Sequence, residues 1–309
     1  MPQNQQNRDI VVAALRHAAP YVRLYRRKTF VIKAGGEVFA DAKSTRALIE
    51  QLAILHQVGI RTVLVHGGGP QNTQLAESLG IETRMVEGRR VTDERTLGVA
   101  TMVLNGQINT QIVAACRQLE LPAIGVSGVD AGLIRARKRP PATVAGQSAP
   151  VDYGFVGDIE GVDPTVLRTQ LENGLLPVVS PLSADADGTL LNINADTVAA
   201  ALASSLGAAK LVLATGAPGI LEDRSNPSSL VSYLDLAGLE RLEKAGSLAD
   251  GMLPKARAIA AAIRGGVSRV HVISYKVPDS LLLEIFTNEG TGTLVVENIN
   301  TLSKAEKNA

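Results

Sequence analysis

Short apolar runs alternate with amphipathic stretches along most of the chain. An apolar run predicts a buried strand, and apolar residues spaced three and four apart predict a helix that packs one face on a core. Strands are expected at 29–34, 61–66, 122–126, 176–181, 210–214, 269–273 and 292–296, and helices near 43–57, 70–79 and 93–118. This alternation predicts the α/β fold class, a three-layer sandwich around a central mostly parallel sheet.

Two segments differ from this pattern. Residues 131–160 predict antiparallel strands and turns, with strands at 133–137, 143–144 and 154–159. Asp9 predicts the N-cap of a helix that runs to about Arg26, and Pro20 is expected to bend or split that helix. The helix either packs on its own domain or forms a subunit contact.

The composition is that of an ordinary globular protein, with 45% hydrophobic and 20% charged residues among 309. A net charge of +1 gives no electrostatic reason to expect nucleic acid or a membrane surface as a partner. The one cysteine, Cys116, excludes an internal disulfide framework and a cysteine-based zinc site. The polar N-terminus predicts no secretory signal, so a cytoplasmic location is expected.

Two glycine clusters that follow apolar runs carry the strongest chemical signal. Gly35 and Gly36 come shortly after Lys33, and Gly67 to Gly69 follow the next strand. Glycine lets the backbone approach a ligand and point N–H groups at it, and a following helix adds its positive end. Two such loops in one sheet predict two anionic groups held side by side, as phosphoryl transfer requires.

Single residues add candidates with more than one interpretation. Arg90, which follows Arg89 in a turn, could bind a carboxylate through two hydrogen bonds or belong to a solvated pair. Asp196 could take part in chemistry or cap the helix that follows it. Lys255 opens a helix, where a positive charge is unfavourable, so it either serves a bound phosphate or is a free surface lysine. His66 ends a strand and is expected to be a structural hydrogen-bonding residue.

Five motifs follow one another in order along the chain. They are Lys33-Ala34-Gly35-Gly36, Val65-His66-Gly67-Gly68-Gly69-Pro70-Gln71, Gly88-Arg89-Arg90-Val91-Thr92-Asp93, Asn192-Ile193-Asn194-Ala195-Asp196-Thr197 and Gly251-Met252-Leu253-Pro254-Lys255. Together they resemble the acetylglutamate kinases of the amino acid kinase family. The resemblance implies transfer of the γ-phosphoryl group of ATP to the γ-carboxylate of N-acetyl-L-glutamate in arginine biosynthesis. It also implies Mg²⁺ held mainly by the nucleotide phosphates.

The resemblance implies a role for each motif residue on the nucleotide side. Lys33 and Lys255 would bind the transferring phosphoryl group and stabilise charge in the transition state. Asp196 would hold the two lysines in place. Gly35 and Gly36 would donate backbone N–H groups to phosphate.

The implied roles on the acceptor side belong to the second glycine cluster and two later motifs. Gly68 and Gly69 would contact the acylated amino acid. Arg90 would bind its α-carboxylate, and Asn192 would bind its α-side polar groups.

Arginine-inhibited members of this family resemble this chain in having a helix before the first strand, which links dimers into a hexameric ring. The resemblance therefore implies a homohexamer, a trimer of dimers, with L-arginine as effector. Tyr21, Lys210, Glu284 and Gly292 match positions of the arginine pocket. The implied organisation is an oligomerisation helix over 1–27, an amino-acid-substrate lobe over 28–205 and a nucleotide-binding lobe over 206–309.

Two alternatives remain open at this stage. One is a kinase for another N-acylated acidic amino acid, such as N-succinylglutamate or a carrier-linked aminoadipate. The other is a non-catalytic arginine-sensing paralogue, and the presence of Lys33, Asp196 and Lys255 together argues against it. The chain departs from the family pattern at Glu37, at Gly216 and across 274–276.

Overall fold

The computed structural model describes residues 2–86, 89–144, 149–223, 225–226, 228–248, 251–287 and 290–302. Gly88, part of the third motif, lies outside these ranges. The α-helices described are α1 (Pro2–Tyr25), α2 (Ala42–Gln57), α3 (Gly69–Ser78), α4 (Glu94–Thr101), α5 (Thr110–Gln118), α6 (Thr165–Glu172), α7 (Ala195–Leu206), α8 (Leu236–Lys244), α9 (Met252–Arg264) and α10 (Ser280–Phe286). A π-helix, Met102–Asn109, joins α4 to α5.

The strands of the same ranges form a central sheet, a smaller sheet beside it and a separate two-stranded pair, Met85–Val86 with Arg89–Arg90. They are β1 (Thr29–Ala34), β2 (Arg61–His66), β3 (Met85–Val86), β4 (Arg89–Arg90), β5 (Ala123–Ser127), β6 (Ile134–Lys138), β7 (Gly157–Val162), β8 (Leu176–Ser180), β9 (Leu182–Ala184), β10 (Leu190–Asn192), β11 (Lys210–Thr215), β12 (Tyr233–Asp235), β13 (Val270–Ser274) and β14 (Thr293–Val296).

The central sheet confirms the predicted fold class. Over the described residues its strand order is β12-β14-β13-β11-β1-β2-β8-β5. Every neighbouring pair is parallel except β13 and β14. β11 pairs directly with β1, so both predicted lobes contribute to one sheet. The division of the chain near residue 206 stays a prediction.

Helices bury both faces of this sheet. Along β1, Val31 faces a core that it shares with α7 and α9, whereas Phe30 and Ile32 face a core that they share with α2 and α5. Apolar burial on both faces is the driving force that makes β1 a central strand. Because β1 and β2 are parallel neighbours, the loops that follow them leave the sheet at the same edge.

The smaller sheet has the order β10-β9-β6-β7 and contains the antiparallel pair β6 and β7. The two strands overlap the predicted strands at 133–137 and 154–159, with β6 shifted by one residue and β7 by three residues toward the C-terminus. The predicted strand at 143–144 is wrong, since those residues lie outside any strand and only an isolated bridge joins Ala142 to Val151. Pro140 and Pro141 remove two backbone donors directly before this segment, which disfavours a ladder.

The N-terminal helix differs from its prediction in two ways. It begins at Pro2, and Asp9 lies inside it instead of capping it. Proline suits the first turn, where its missing N–H would have no partner, and residues 3–8 contain no helix breaker. Pro20 lies within α1 and does not split it, because a proline removes one backbone hydrogen bond and the rest of the helix can persist around it.

The two halves of α1 have different surroundings. Ile10, Val11 and Leu15 are exposed, so this part of the helix leaves apolar side chains uncovered. Near its end, the ring of Tyr25 packs edge-on against Phe30 of β1. Within the described ranges, no helix combines the length and the apolar composition that crossing a membrane requires.

Candidate active site

The two glycine clusters touch each other at one edge of the central sheet. A Cβ atom added to Gly36 would lie 2.8 Å from the Gly68 Cα atom and 2.5 Å from Gln71 Oε1. The Gln71 side chain also donates a 2.7 Å hydrogen bond from Nε2 to the Gly36 carbonyl oxygen. Glycine is therefore required at position 36 by the close approach of the second loop, and the two loops form one surface.

A buried carboxylate joins two lysines that come from different elements. Lys33 lies near the end of β1, Asp196 in the first turn of α7, and Lys255 in the first turn of α9. The Nζ atoms of both lysines lie 3.0 Å from Asp196 Oδ1, and Lys255 Nζ lies 3.1 Å from Oδ2. All three residues are less than a tenth exposed. The cluster links the centre of the sheet to two helices.

The structure separates the two interpretations of Asp196. The N-cap of α7 is Asn194, whose side-chain oxygen accepts hydrogen bonds from the backbone N–H groups of Asp196 and Thr197 at 2.9 and 3.1 Å. Because Asn194 caps the helix, the Asp196 carboxylate is left for the two lysines. The capping interpretation of Asp196 is wrong.

Burial and the neighbouring charges shift the pKa values of Asp196 and Lys255. Burial raises the pKa of Asp196, but the positive charges of Lys33 and Lys255 outweigh burial and lower that pKa to about 2. Burial and the charge of Lys33 lower the pKa of Lys255, and Asp196 opposes this effect. Asp196 is therefore ionised at neutral pH. With both lysines protonated, the cluster keeps a net positive charge that can attract an anion.

A cavity of about 290 Å³ opens at the edge where the loops meet. The predicted site residues that line it are Lys33, Gly35, Gly36, Gly68, Gly69, Arg90, Asn192 and Asp196. Lys255 does not line the cavity itself, but it contacts Asp196, which does. The structure thus brings together all nine residues for which catalytic, nucleotide or acceptor roles are predicted, and the roles themselves stay predictions.

Arg90 is a partly buried residue rather than a member of a solvated pair. Its Nη2 donates to Thr73 Oγ1 at 2.7 Å and to the Gly69 carbonyl oxygen at 3.4 Å. Its Nη1 is buried and has no hydrogen-bond partner among the described residues. A buried donor without a partner costs free energy, so this guanidinium favours an acceptor bound in the cavity.

The lining residues that were not among the predicted site residues include Glu37, Asn72 and Arg89. The Glu37 carboxylate folds over Gly35, where an added Cβ would lie 2.0 Å from Oε2. Asn72 Oδ1 is buried and lacks a partner within the described ranges. Asn72 lies three residues after Gly69, in the first turn of α3. This spacing places it on the same side of the helix as the glycine cluster, so the sequence alone could have marked it as a site residue.

A second cavity, of about 510 Å³, lies between α1 and strands β11 and β13. Its lining includes Tyr21, Lys210, Glu284 and Gly292, the four residues predicted for an effector. Lys210 Nζ lies 3.0 Å from His271 Nε2, and His271 Nδ1 lies 2.7 Å from Glu284 Oε1. Burial lowers the pKa of His271 to about 4, so a neutral ring accepts from Lys210 and donates to Glu284.

The chain is similar to known proteins over most of its length. The model of the amino acid kinase family matches residues 28–274. An acetylglutamate kinase of Myxococcus xanthus is 50% identical over 288 residues, which are 92% of this chain and 94% of that protein. An acetylglutamate kinase of Methanothermobacter thermautotrophicus is 42% identical over 290 residues, 93% of this chain and 99% of that protein.

Solved structures share the fold. N-acetylglutamate synthase from Neisseria gonorrhoeae, complexed with coenzyme A and N-acetyl-glutamate, gives a TM-score of 0.81 at 31% identity over 93% of this chain and 63% of that one. Carbamate kinase from Giardia lamblia gives 0.63 at 18% identity, over 88% of this chain and 99% of that one. The chain belongs to the amino acid kinase family. Within this family of phosphotransferases it belongs to the acetylglutamate kinases, as its motifs predicted.

The substitution Asp196→Asn should destabilise the protein most near neutral pH. It leaves two buried ammonium groups without a counter-ion, and breaking a buried pair in this way costs roughly 3–5 kcal/mol. Without the carboxylate that opposes burial, the pKa of Lys255 falls further in the folded state, so the lost stability returns as the pH rises and Lys255 deprotonates. Urea unfolding of variant and parent across a pH series measures this difference.

The control for this series is Glu50→Gln, which breaks the exposed pair between Arg46 and Glu50. This substitution should change the free energy of unfolding little at any pH, since exposed pairs contribute about 0–1 kcal/mol. A deficit in the Asp196→Asn variant that stays constant with pH would contradict the explanation by unpaired lysine charge.

Proposed function

We propose that this chain transfers the γ-phosphoryl group of ATP to the γ-carboxylate of N-acetyl-L-glutamate. A carboxylate oxygen attacks the γ-phosphorus, and the bond from that phosphorus to the β–γ bridging oxygen breaks. The products are ADP and N-acetyl-L-glutamyl 5-phosphate. The observation that carries the proposal is the Lys33–Asp196–Lys255 cluster beside the joined glycine loops, because two reacting anions need fixed positive charge between them.

The reaction needs electrostatic stabilisation rather than a general base. A γ-carboxylate is ionised at neutral pH, so no proton has to leave before attack. Charge is spread over the equatorial oxygens of the transferring group, where Lys33 and Lys255 stabilise it. Asp196 holds both ammonium groups in position before the substrates bind, which reduces the reorganisation that the transition state demands.

The nucleotide side of the site consists of the first glycine loop and the lysines. Gly35 and Gly36 donate backbone N–H groups to phosphate. Mg²⁺ is held mainly by the nucleotide phosphates, and when bound it neutralises part of their charge. The donor set fits this arrangement, since both Asp196 oxygens contact lysine and no group of three or more metal-ligating side chains exists among the described residues.

The acceptor side lies around the second glycine loop. Arg90 binds the α-carboxylate, and its buried Nη1 without a protein partner supports this role. Asn192, whose Nδ2 donates to Thr92 Oγ1 at 3.3 Å, binds the α-side polar groups. Gly68 and Gly69 contact the acylated amino acid through the backbone. The acceptor is thus held by its α-end while its γ-carboxylate faces the lysines.

The second cavity is the proposed site of feedback inhibition by L-arginine. Glu284 suits the guanidinium of the effector, and Lys210 suits its carboxylate. Tyr21 brings α1 to the same cavity, and Gly292 completes its lining. Bound arginine favours an open arrangement in which the substrate loops are too far apart for transfer, which is a shift of population.

Assembly is proposed to depend on α1. Its exposed apolar residues Ile10, Val11 and Leu15 support a contact between subunits, since uncovered apolar surface is typical of interfaces. In a homohexamer, a trimer of dimers, these helices link the dimers to each other. The protein is expected to act in the cytoplasm.

The acceptor assay tests the reaction itself. The protein is incubated with ATP, Mg²⁺ and N-acetylglutamate, N-succinylglutamate or glutamate, and the acyl phosphate is trapped as a hydroxamate. N-acetylglutamate should give the highest kcat/KM. Preference for N-succinylglutamate would move the proposal to the other acylated substrate, and no hydroxamate from any acceptor would refute it.

Lys255→Ala should lower kcat far more than it raises either KM. The ammonium acts mainly on charge that develops in the transition state. By analogy with the loss of one oxyanion donor, the expected fall in kcat is about 10²- to 10³-fold. Lys244→Ala, at an exposed lysine of α8, should leave kcat nearly unchanged. Near-normal turnover of the Lys255 variant would remove this lysine from the mechanism.

Arg90→Lys should weaken the binding of the acceptor and leave ATP almost unaffected. Lysine keeps the charge but cannot form two parallel hydrogen bonds with a carboxylate. The loss of one charged hydrogen bond predicts a rise of roughly ten- to a hundredfold in the KM for N-acetylglutamate. Steady-state kinetics with each substrate varied in turn will distinguish an effect on acceptor binding from an effect on ATP binding. A rise confined to the KM for ATP would place Arg90 on the nucleotide side.

Deletion of residues 1–26 should yield active dimers that no longer respond to arginine. The truncated chain loses both Tyr21 and the apolar residues of α1. Light scattering measures the mass, and the hydroxamate assay with millimolar arginine measures inhibition. If the intact chain is a dimer and keeps full activity in arginine, both the hexamer and the effector site are wrong.

A further inference from the structure

His66 is a buried polar residue that the proposed reaction does not use. It is the last residue of β2 and has no exposed surface. Its Nδ1 lies 3.1 Å from the Gly67 carbonyl oxygen, and its Nε2 lies 3.2 Å from Asn109 Nδ2. Asn109 Nδ2 also donates to the Val178 carbonyl oxygen at 2.9 Å. A chain of polar contacts therefore connects the core to the second glycine loop.

These partners determine which nitrogen of the ring carries the hydrogen. The Val178 carbonyl oxygen only accepts, so the Asn109 group that faces it is the NH₂, and this NH₂ also faces His66 Nε2. Nε2 is therefore the accepting nitrogen, and Nδ1 donates to the Gly67 carbonyl. Burial lowers the pKa of His66 to about 4, which keeps the ring in this neutral form at physiological pH.

The contact with Gly67 sets the direction of the next backbone N–H. In a trans peptide the carbonyl of one residue and the N–H of the next point to opposite sides. His66 holds the Gly67 carbonyl on the core side, so the Gly68 N–H points toward the cavity that this loop lines. Among the described residues, no group accepts this N–H. It is available to a ligand.

The π-helix places the groups that hold His66 and Gly68. Asn109 is its last residue, and a Cβ added to Gly125 would lie 2.0 Å from Asn109 Oδ1, so glycine at 125 makes room for this side chain. Leu104 and Ile108 come from the same π-helix, and each would lie 2.7 Å from a Cβ on Gly68. A π-helix adds one residue per turn to an α-helical register and commonly occurs at functional sites.

We propose that His66 is a positioning residue for phosphoryl transfer, which fixes the Gly67–Gly68 peptide so that the Gly68 N–H donates to the γ-carboxylate of the acceptor. The inference rests on the proposed function, in which Gly68 contacts the acylated amino acid. Glycine peptides rotate more freely than others, so a loop of three glycines needs such a restraint. Loss of the restraint should affect the acceptor and not ATP, whose contacts belong to the first glycine loop.

Two substitutions separate the contacts of the ring. In His66→Asn the side-chain NH₂ replaces Nδ1 and can still donate to Gly67, but the contact with Asn109 is lost. In His66→Gln the amide oxygen reaches the position of Nε2 and can accept from Asn109, but the Gly67 carbonyl loses its donor. Each variant loses one buried hydrogen bond, so their thermal midpoints should fall by similar amounts.

The activities of the two variants should differ although their stabilities match. His66→Asn should keep kcat/KM for N-acetylglutamate within about threefold of the parent. His66→Gln should lower it about ten- to a hundredfold, which is less than the roughly 10²- to 10³-fold effect of removing an oxyanion donor, because the N–H is misdirected and not removed. The KM for ATP should stay within about twofold in both, since the nucleotide contacts are intact. His66→Asn should also keep the parent pH profile between about pH 6 and 9, because neutral His66 does not titrate there.

Several results would overturn the proposal. Equal losses in the two variants, full activity of His66→Gln, or a change confined to the KM for ATP would each show that the Gly67 contact does not orient the acceptor site. Loss of one limb of the pH profile in His66→Asn would make His66 a general base instead. If His66→Gln does not fold, Asn109→Leu is compared with His66→Asn, because both lose the contact at Nε2 and keep the donor to the Gly67 carbonyl. Both must keep kcat/KM for N-acetylglutamate within about threefold of the parent, and a larger loss in either would refute the proposal. A parent without activity on any acceptor would refute the proposed function itself.

Discussion

The contact of one buried carboxylate with two ammonium groups determines the layout of this molecule's site. Asp196 must leave water to reach this position, and only the charges of Lys33 and Lys255 offset that cost. The two lysines repel each other, and the carboxylate between them offsets that repulsion. This mutual dependence brings the end of β1 and the first turns of α7 and α9 to one point. The cluster has an excess of positive charge before any substrate binds, which is the condition for stabilising a transferring phosphoryl group.

The parallel sheet supplies the second constraint. Neighbouring parallel strands end at the same edge, and ligands of open α/β sheets bind outside those ends. Here both loops that follow β1 and β2 are glycine-rich, and Gly36 and Gly68 approach so closely that no side chain fits between them. His66, Asn109 and the π-helix hold the second loop from the core side. The site is thus fixed by a charge cluster on one side and by buried neutral hydrogen bonds on the other.

Features encoded by neighbouring residues could be predicted from the sequence. The apolar runs gave the central strands and the mostly parallel sheet, because burial on both faces leaves a local signature. The glycine clusters predicted two loops side by side, and the loops do meet at one edge of the sheet, whereas their role in anion binding stays a prediction. The ordered motifs, through their resemblance to a family, brought together residues far apart in the chain, such as Arg90 and Asn192, which line one cavity.

Features that depend on distant residues could not be predicted from local pattern. Asn194 and Asp196 are two residues apart and both suit a cap, and only the lysines from β1 and α9 decide between them. Arg90 lies in strand β4, and its partial burial depends on contacts with distant residues such as Thr73 in helix α3. The π-helix has no turn residue or cap to mark it, since it continues directly from α4 into α5. The start of α1 was missed because a polar first turn resembles a disordered end.

The most direct measurement of the lysine cluster's role uses a mimic of the transferring phosphoryl group. Binding of ADP is titrated by calorimetry with and without fluoroaluminate, in the presence of N-acetylglutamate, for the parent and for Lys33→Ala. We expect fluoroaluminate to tighten ADP binding to the parent by about a hundredfold or more, because analogues of a transition state bind more tightly than substrates. We expect Lys33→Ala to lose this enhancement while it binds ADP alone normally. An equal enhancement in the variant would contradict the central role of the Lys33–Asp196–Lys255 cluster.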